Sequence, residues 1–208
     1  MTDLTFNESD LEAIQLEKSD ILNIWESTHI KALKRKIKKH YRSAQNENCC
    51  YCRKNTVGEF NMVLDIEHIL PKSLFSGFMF EIKNLSISCK RCNMEIKKDD
   101  ISFLIQSQSF LDDPFDAKHY KFIHPNSDTY YDHIDVEVSI KNENKMIKYT
   151  VLQGSPKGSF TYTYFKLHAL EVDSFDRSQG SSGMPQISTS IDDDIANEIR
   201  KTLKVEIV

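Results

Sequence analysis

Apolar residues recur at Ile30, Leu33, Ile37 and Tyr41, a 3-4-4 spacing that predicts one buried face of a helix. Lys34, Arg35, Lys36, Lys38 and Lys39 cover the rest of its circumference. Upstream, Ser9-Asp10-Leu11-Glu12 fits a capping box, with Leu11, Ile14, Ile21, Ile24 and Trp25 available for packing. Residues 1–47 therefore read as a helical region, two helices or one interrupted near Ser19-Asp20. The period then shortens. Residues 62–66 are apolar and β-branched, predicting a strand that delivers Glu67 and His68 at its end, with Pro71 stopping it. Residues 84–88 alternate and predict a second strand leading into Cys89, and residues 93–100 read as the start of a helix. Ile134, Val136, Val138 and Ile140 alternate with polar residues up to Asn142-Glu143-Asn144. With residues 146–152 following, they predict a β-hairpin. Loops fall at 112–115 and 124–128. Residues 174–195 read as a polar linker, ahead of a short amphipathic helix over 195–205. The pattern predicts an α+β fold in four segments: 1–47, 48–100, 101–173 and 174–208.

Composition changes the picture little, and charge distribution changes it more. At 208 residues, 28% of them charged, the chain has no apolar run near the ~18 residues of a membrane span. A polar N-terminus without an apolar core predicts no signal peptide, so a soluble, cytoplasmic protein without a membrane partner is expected. The formal charge of −4 gives no hint of nucleic acid. Its distribution does: residues 3–28 carry seven acids against Lys18 alone, whereas residues 31–42 carry seven bases and no acid. Such a run attracts a phosphate backbone without reading sequence, or is simply a solvated helix face.

Four of the five cysteines form two Cys-x-x-Cys pairs, Cys49/Cys52 and Cys89/Cys92. Two such turns suit one tetrahedral structural zinc. Cys50 is the odd thiol, and spacing favours Cys49 over it as ligand. Free buried thiols, a disulfide framework and a thioredoxin-like redox pair are the competing readings. The redox pair leaves the second Cys-x-x-Cys and the missing βαβ pattern unexplained.

Between the pairs lie Glu67-His68-Ile69-Leu70-Pro71 and Asn84-Leu85, and after them Asn93, Lys97 and Lys98. This order resembles the HNH endonucleases of the ββα-metal superfamily over residues 49–98, in the variant whose letters read His68, Asn84, Asn93. The usual aspartate before the histidine is Glu67 here, one methylene longer, and the usual basic position three after the last asparagine is Ile96. The resemblance implies metal-dependent hydrolysis of phosphodiester bonds, with DNA favoured over RNA. His68 would be the general base, since imidazole titrates near neutrality. Glu67 and Asn93 would be oxygen ligands of a catalytic Mg2+ or Mn2+. Asn84 would constrain the loop holding the histidine. Asp65 alternates with Glu67 along the strand and competes with it as ligand. Phosphate contacts are expected from Lys34, Arg35, Lys38 and Lys39, and from Lys72, Lys97 and Lys98 after them.

Pro125-x-x-Asp128-x-x-x-x-His133 and the hairpin behind it resemble, more loosely, the C-terminal part of HNH nucleases in Septu-type and retron-linked anti-phage systems. That likeness implies an antiviral defence effector with an ATPase partner. His119, His124 and His133 offer a second metal site or, lacking paired spacing, ordinary polar positions. The alternative to a nuclease is a zinc module that binds nucleic acid or a protein through a catalytically inert His-Asn site.

Overall fold

A computed structural model describes residues 4–16, 24–105, 108–142 and 144–173; the expected linker and C-terminal helix lie outside them. The fold is α+β, with short helices around two small antiparallel sheets. Helix α1 spans Glu8–Leu16. Its capping box starts two residues earlier than expected. Asn7 Oδ1 accepts from the Asp10 N–H (2.9 Å) and Asp10 Oδ2 from the Asn7 N–H (3.0 Å), because an amide and a carboxylate three apart close the same reciprocal pair as Ser and Glu. Leu11 consequently turns outward, and Ile14 is the buried position.

Helix α2 spans Lys31–Ala44 and buries the predicted face, Leu33, Ile37 and Tyr41. Strand β1 (Leu64–His68) pairs antiparallel with β2 (Leu85–Cys89), His68 opposite Leu85 and Leu64 opposite Cys89. Glu67 and His68 end β1 as expected, while the strand starts at Leu64 rather than Met62, because residues 61–63 form a 3₁₀ turn that delays it. All of β2 is buried, its serines included. Gln45, at the end of α2, meets its outer edge: Gln45 Oε1 accepts from the Ile87 N–H (2.9 Å) and Ser86 Oγ (3.0 Å), and Gln45 Nε2 donates to the Ile87 carbonyl (2.9 Å). A side chain thus satisfies a strand edge that would otherwise be a buried cost.

Beyond β2, residues Arg91–Lys97 wind as a π-helix, closed by Lys98 N–H donating to the Asn93 carbonyl (2.8 Å). Lys98, at φ 49°, ends it. Strands β3 (Ile134–Lys141) and β4 (Asn144–Val151) are the expected hairpin, and β5 (Val172–Asp173) adds to β4. Helix α3 (Pro156–Tyr164) has no periodic signature and rests on its start: Ser155 Oγ accepts from Gly158 N–H (2.9 Å), and Pro156 occupies the first turn. Gly158 is required there, since a Cβ would meet the His133 carbonyl oxygen at 2.5 Å. By contact density the chain divides into a large unit, residues 1–137 with 148–171, and a small one, 138–147 with 172–208; among the described residues the latter holds the hairpin tip and β5. No helix among the described residues is long and apolar enough to cross a membrane.

Candidate metal centre and active-site cleft

Cys49 and Cys52 sit on a turn after α2, Cys89 ends β2 and Cys92 opens the π-helix, so three elements converge on one point. The four Sγ atoms lie within 4.8 Å of one another and all four residues are buried. A tetrahedral ion with Zn–S bonds near 2.3 Å separates its sulfurs by about 3.8 Å. Cys52 and Cys89 Sγ are 3.8 Å apart. The Cys89 N–H points at Cys49 Sγ (3.3 Å), the kind of donor that favours a thiolate. The cluster fits a metal such as zinc with all four positions filled by protein. Cys50 is not one of the four, although its thiol is hydrogen-bonded to Cys49; its N–H donates to the Ile87 carbonyl (3.0 Å), and burial pushes its thiol pKa well up. Among the described residues His119, His124 and His133 form no such group. His124 Nδ1 instead accepts from the Asn126 and Ser127 N–H groups (3.2 and 3.1 Å), and His133 Nδ1 meets Ser155 Oγ (2.8 Å).

The two carboxylates of β1 have opposite surroundings. Glu67 is fully buried. It pairs with Lys97 Nζ (2.8 Å) and accepts from Tyr51 OH (3.0 Å) and Ser88 Oγ (3.3 Å), both donors being residues of the cysteine frame. Lys97 Nζ also donates to the His68 carbonyl (3.0 Å) and lies 5.6 Å from the Phe103 ring. With its side chain 1% exposed and its ammonium paired to Glu67, Lys97 borders the cleft as a buried structural cation rather than as the free phosphate contact expected. Asp65 instead opens to solvent, pairing with Lys90 (3.0 Å) and accepting from Asn93 Nδ2 (3.2 Å).

His68 is held on two sides. Its Nε2 lies 3.0 Å from the Met79 carbonyl, which can only accept, so the neutral ring carries its proton on Nε2 and leaves the Nδ1 lone pair available. The Trp25 ring meets it edge-on at 4.4 Å between centroids. Burial lowers its pKa to about 3, against the smaller opposing effect of the Met79 bond, so the imidazole is neutral at physiological pH. The loop after it is closed by buried Asn84, whose Oδ1 accepts from Leu70 N–H (2.7 Å) while Nδ2 donates to the Leu70 and Phe78 carbonyls (3.1 and 3.0 Å).

A cleft of about 1460 Å³ opens along β1 and α2. Asp65, His68 and Asn93 line it together with Trp25, Met94 and the basic face of α2; Glu67 does not line it. Eight lysines and two arginines border it against four acids. Their roles divide. Lys34 Nζ donates to the Trp25 carbonyl (2.9 Å) and sits 5.0 Å from its ring, and Lys38 Nζ donates to the Asn61 and Leu64 carbonyls (2.9 and 2.6 Å), so both are partly committed to structure. Lys31, Arg35 and Lys39, spaced by four, form the exposed stripe, with Lys72 half-buried beyond them. Trp25 and the Met79 carbonyl are the site features sequence reasoning missed as such. Trp25 ends the apolar run Ile21-Leu22-Asn23-Ile24 and so reads as mere packing, and a backbone carbonyl leaves no sequence signal.

Fold and site together define an α+β protein with a buried four-cysteine cluster that could hold a metal such as zinc, beside a basic cleft. No family model, curated protein or solved structure matches the chain.

Proposed function

We propose that the chain is a metal-dependent endonuclease of HNH type, in which a structural zinc fixes the strands that carry the catalytic groups. One observation carries this reading: neutral His68, the Asp65–Asn93 pair and the exposed stripe of α2 open onto one cleft. The stripe draws the phosphate backbone into the cleft and sets its register. His68 Nδ1 then takes the proton of a water attacking phosphorus, while the Met79 carbonyl and Trp25 hold the ring in its tautomer and orientation. Asn93 and Asp65 are oxygen donors suited to Mg2+ or Mn2+, which when bound would neutralise charge on the phosphoryl and leaving oxygens. This exchanges the expected ligand Glu67 for Asp65, since Glu67 would have to release buried Lys97 to serve.

A defence role with an ATPase partner belongs to the same proposal on the looser resemblance alone. The Pro125–Asp128 loop that carries it is tied to the core by Asn126 Nδ2 donating to the Lys83 and Leu85 carbonyls (2.9 and 2.8 Å). Commitment of Glu67 to Lys97 is the observation that favours the second reading, a zinc module with an inert site. Cleavage of DNA and RNA with added Mg2+ or Mn2+, alone and together with a candidate ATPase partner, separates the two. Turnover that depends on added Mg2+ or Mn2+ at constant zinc content supports the nuclease. Binding without turnover in every combination leaves the inert module.

A further inference from the structure

Residues 55–63 leave the cysteine frame and enter β1, and α2 fixes their course. Arg42 donates from Nη1 to the Glu59 carbonyl (3.2 Å) and Asn61 Oδ1 (2.9 Å), and from Nη2 to the Thr56 and Glu59 carbonyls (3.3 and 3.2 Å). Lys38 holds the Asn61 carbonyl, and the Thr56 N–H and hydroxyl both donate to the Glu47 carbonyl (2.7 and 2.6 Å). The loop turns at Gly58, whose φ of 79° suits glycine. So tied, it sends three large apolar side chains into solvent: Val57, Phe60 and Met62, exposed by 68, 65 and 73%.

Exposed apolar side chains on a firmly bonded loop call for a function, because a slack loop would turn them inward. Their neighbours specify the occupant. Arg42 and Asn61 line the basic cleft, and Phe60 and Met62 flank Asn61 in the chain, so the apolar side chains leave the backbone at the edge of the cleft. Along β1, Leu64 lies about 13 Å from His68 at ~3.3 Å per residue, a span of only a few nucleotides of an extended strand. A backbone drawn in by cations and an aromatic ring several nucleotides away are the two parts of a single-strand binding channel.

We propose that the Arg42-pinned loop is a base-stacking platform, Phe60 flanked by Val57 and Met62, which makes the cleft prefer nucleic acid with unpaired bases over continuous duplex. In paired DNA the base faces are covered by stacking neighbours and Phe60 gains only the groove edge. In a single strand a base can leave its neighbours and lie on the ring. The inference rests on the cleft being a nucleic-acid site, and its test separates the two.

Fluorescence anisotropy with a labelled single-stranded oligonucleotide and the matching duplex, on zinc-loaded protein with no Mg2+ or Mn2+ added so that cleavage is prevented, reads both. Wild type is expected to bind the single strand more tightly. Phe60→Ala should weaken single-strand binding about tenfold, with duplex affinity changed less than twofold and the salt slope unaltered, as loss of one stacked base predicts. Phe60→Tyr should restore it. Arg35→Ala with Lys39→Ala should weaken both ligands and flatten the salt slope. Equal affinities of Phe60→Ala and wild type for the single strand, or equal weakening of both ligands, would overturn the platform while leaving the cleft reading intact. Failure of wild type to bind either oligonucleotide would overturn both. The exposed position of Phe60 leaves the fold intact on substitution, which an unchanged thermal midpoint verifies.

Discussion

Asp65 and Glu67 stand two residues apart on one strand, and the regions around them do different work. The Glu67 region is dry: a carboxylate, an ammonium, a phenol and a hydroxyl satisfy one another against the cysteine frame. The Asp65 region is wet, its carboxylate shared between half-exposed Lys90 and the Asn93 amide at the cleft. Buried charges are tolerable only when fully paired, and removing one partner leaves the other stranded at a cost of several kcal/mol. Exposed pairs contribute little and are free to exchange partners. One strand thus presents a carboxylate locked for structure beside another available for chemistry, and burial decides which is which.

The largest test of this contrast removes what both regions lean on. Replacing Cys92 by Ser, or extracting metal with a strong chelator, should unfold the large unit, since metal binding to such sites is folding free energy on the order of 10 kcal/mol. Circular dichroism with zinc quantitation reads it, and a folded, zinc-free protein would contradict the account. Next, Glu67→Gln alone should cost about 3–5 kcal/mol in denaturant unfolding, and Glu67→Gln with Lys97→Met should recover part of that loss. A double variant no better than the single would break the buried-pair description.

Acidification comes third. His68 and His124 are held by burial at about 3 and about 4, below the 6.5 of a free imidazole, so the unfolded chain takes up protons first as pH falls. Their contribution is whole above pH 6.5 and is lost as pH falls toward 4, lowering the thermal midpoint. His68→Gln should flatten that fall while zinc content, followed in parallel, separates loss of metal. An equally steep fall in His68→Gln would refute the assignment. Fourth, Asp65→Asn should change stability by less than about 1 kcal/mol, as expected of a half-exposed pair. It should nevertheless weaken Mn2+ binding read by calorimetry. Were Glu67→Gln, in protein still folded, to abolish Mn2+ binding while Asp65→Asn spared it, the roles of the two carboxylates would be reversed.

Much of this arrangement is legible along the chain, for physical reasons. The cysteine pairs are visible because a tetrahedral site imposes short spacings, and α2 because a buried stripe imposes a period of 3.6. Strand β2 and the hairpin follow from alternation and β1 from a short apolar, β-branched run, with its start displaced by a 3₁₀ turn that neither pattern encodes. What is hidden depends on the third dimension. Alternation puts Asp65 and Glu67 on one face without saying which of them Lys97 will reach, and a π-helix delivers Lys97 to Glu67 and Asn93 to Asp65. A lysine after an asparagine reads as a phosphate contact until its burial is known. Helix α3 is hidden because its helical span carries mixed faces and its start depends on one serine cap.

The central claim is that His68, aimed into the basic cleft, activates water for phosphodiester hydrolysis. Its most direct test is single-turnover cleavage of a labelled DNA by wild type and His68→Ala, each zinc-loaded and folded, with Mg2+ or Mn2+ present. Loss of a general base predicts a rate lower by about 10²–10⁴-fold, with DNA affinity held within a few-fold. Equal rates for the two proteins, or no metal-dependent cleavage by wild type under any of these conditions, would contradict it.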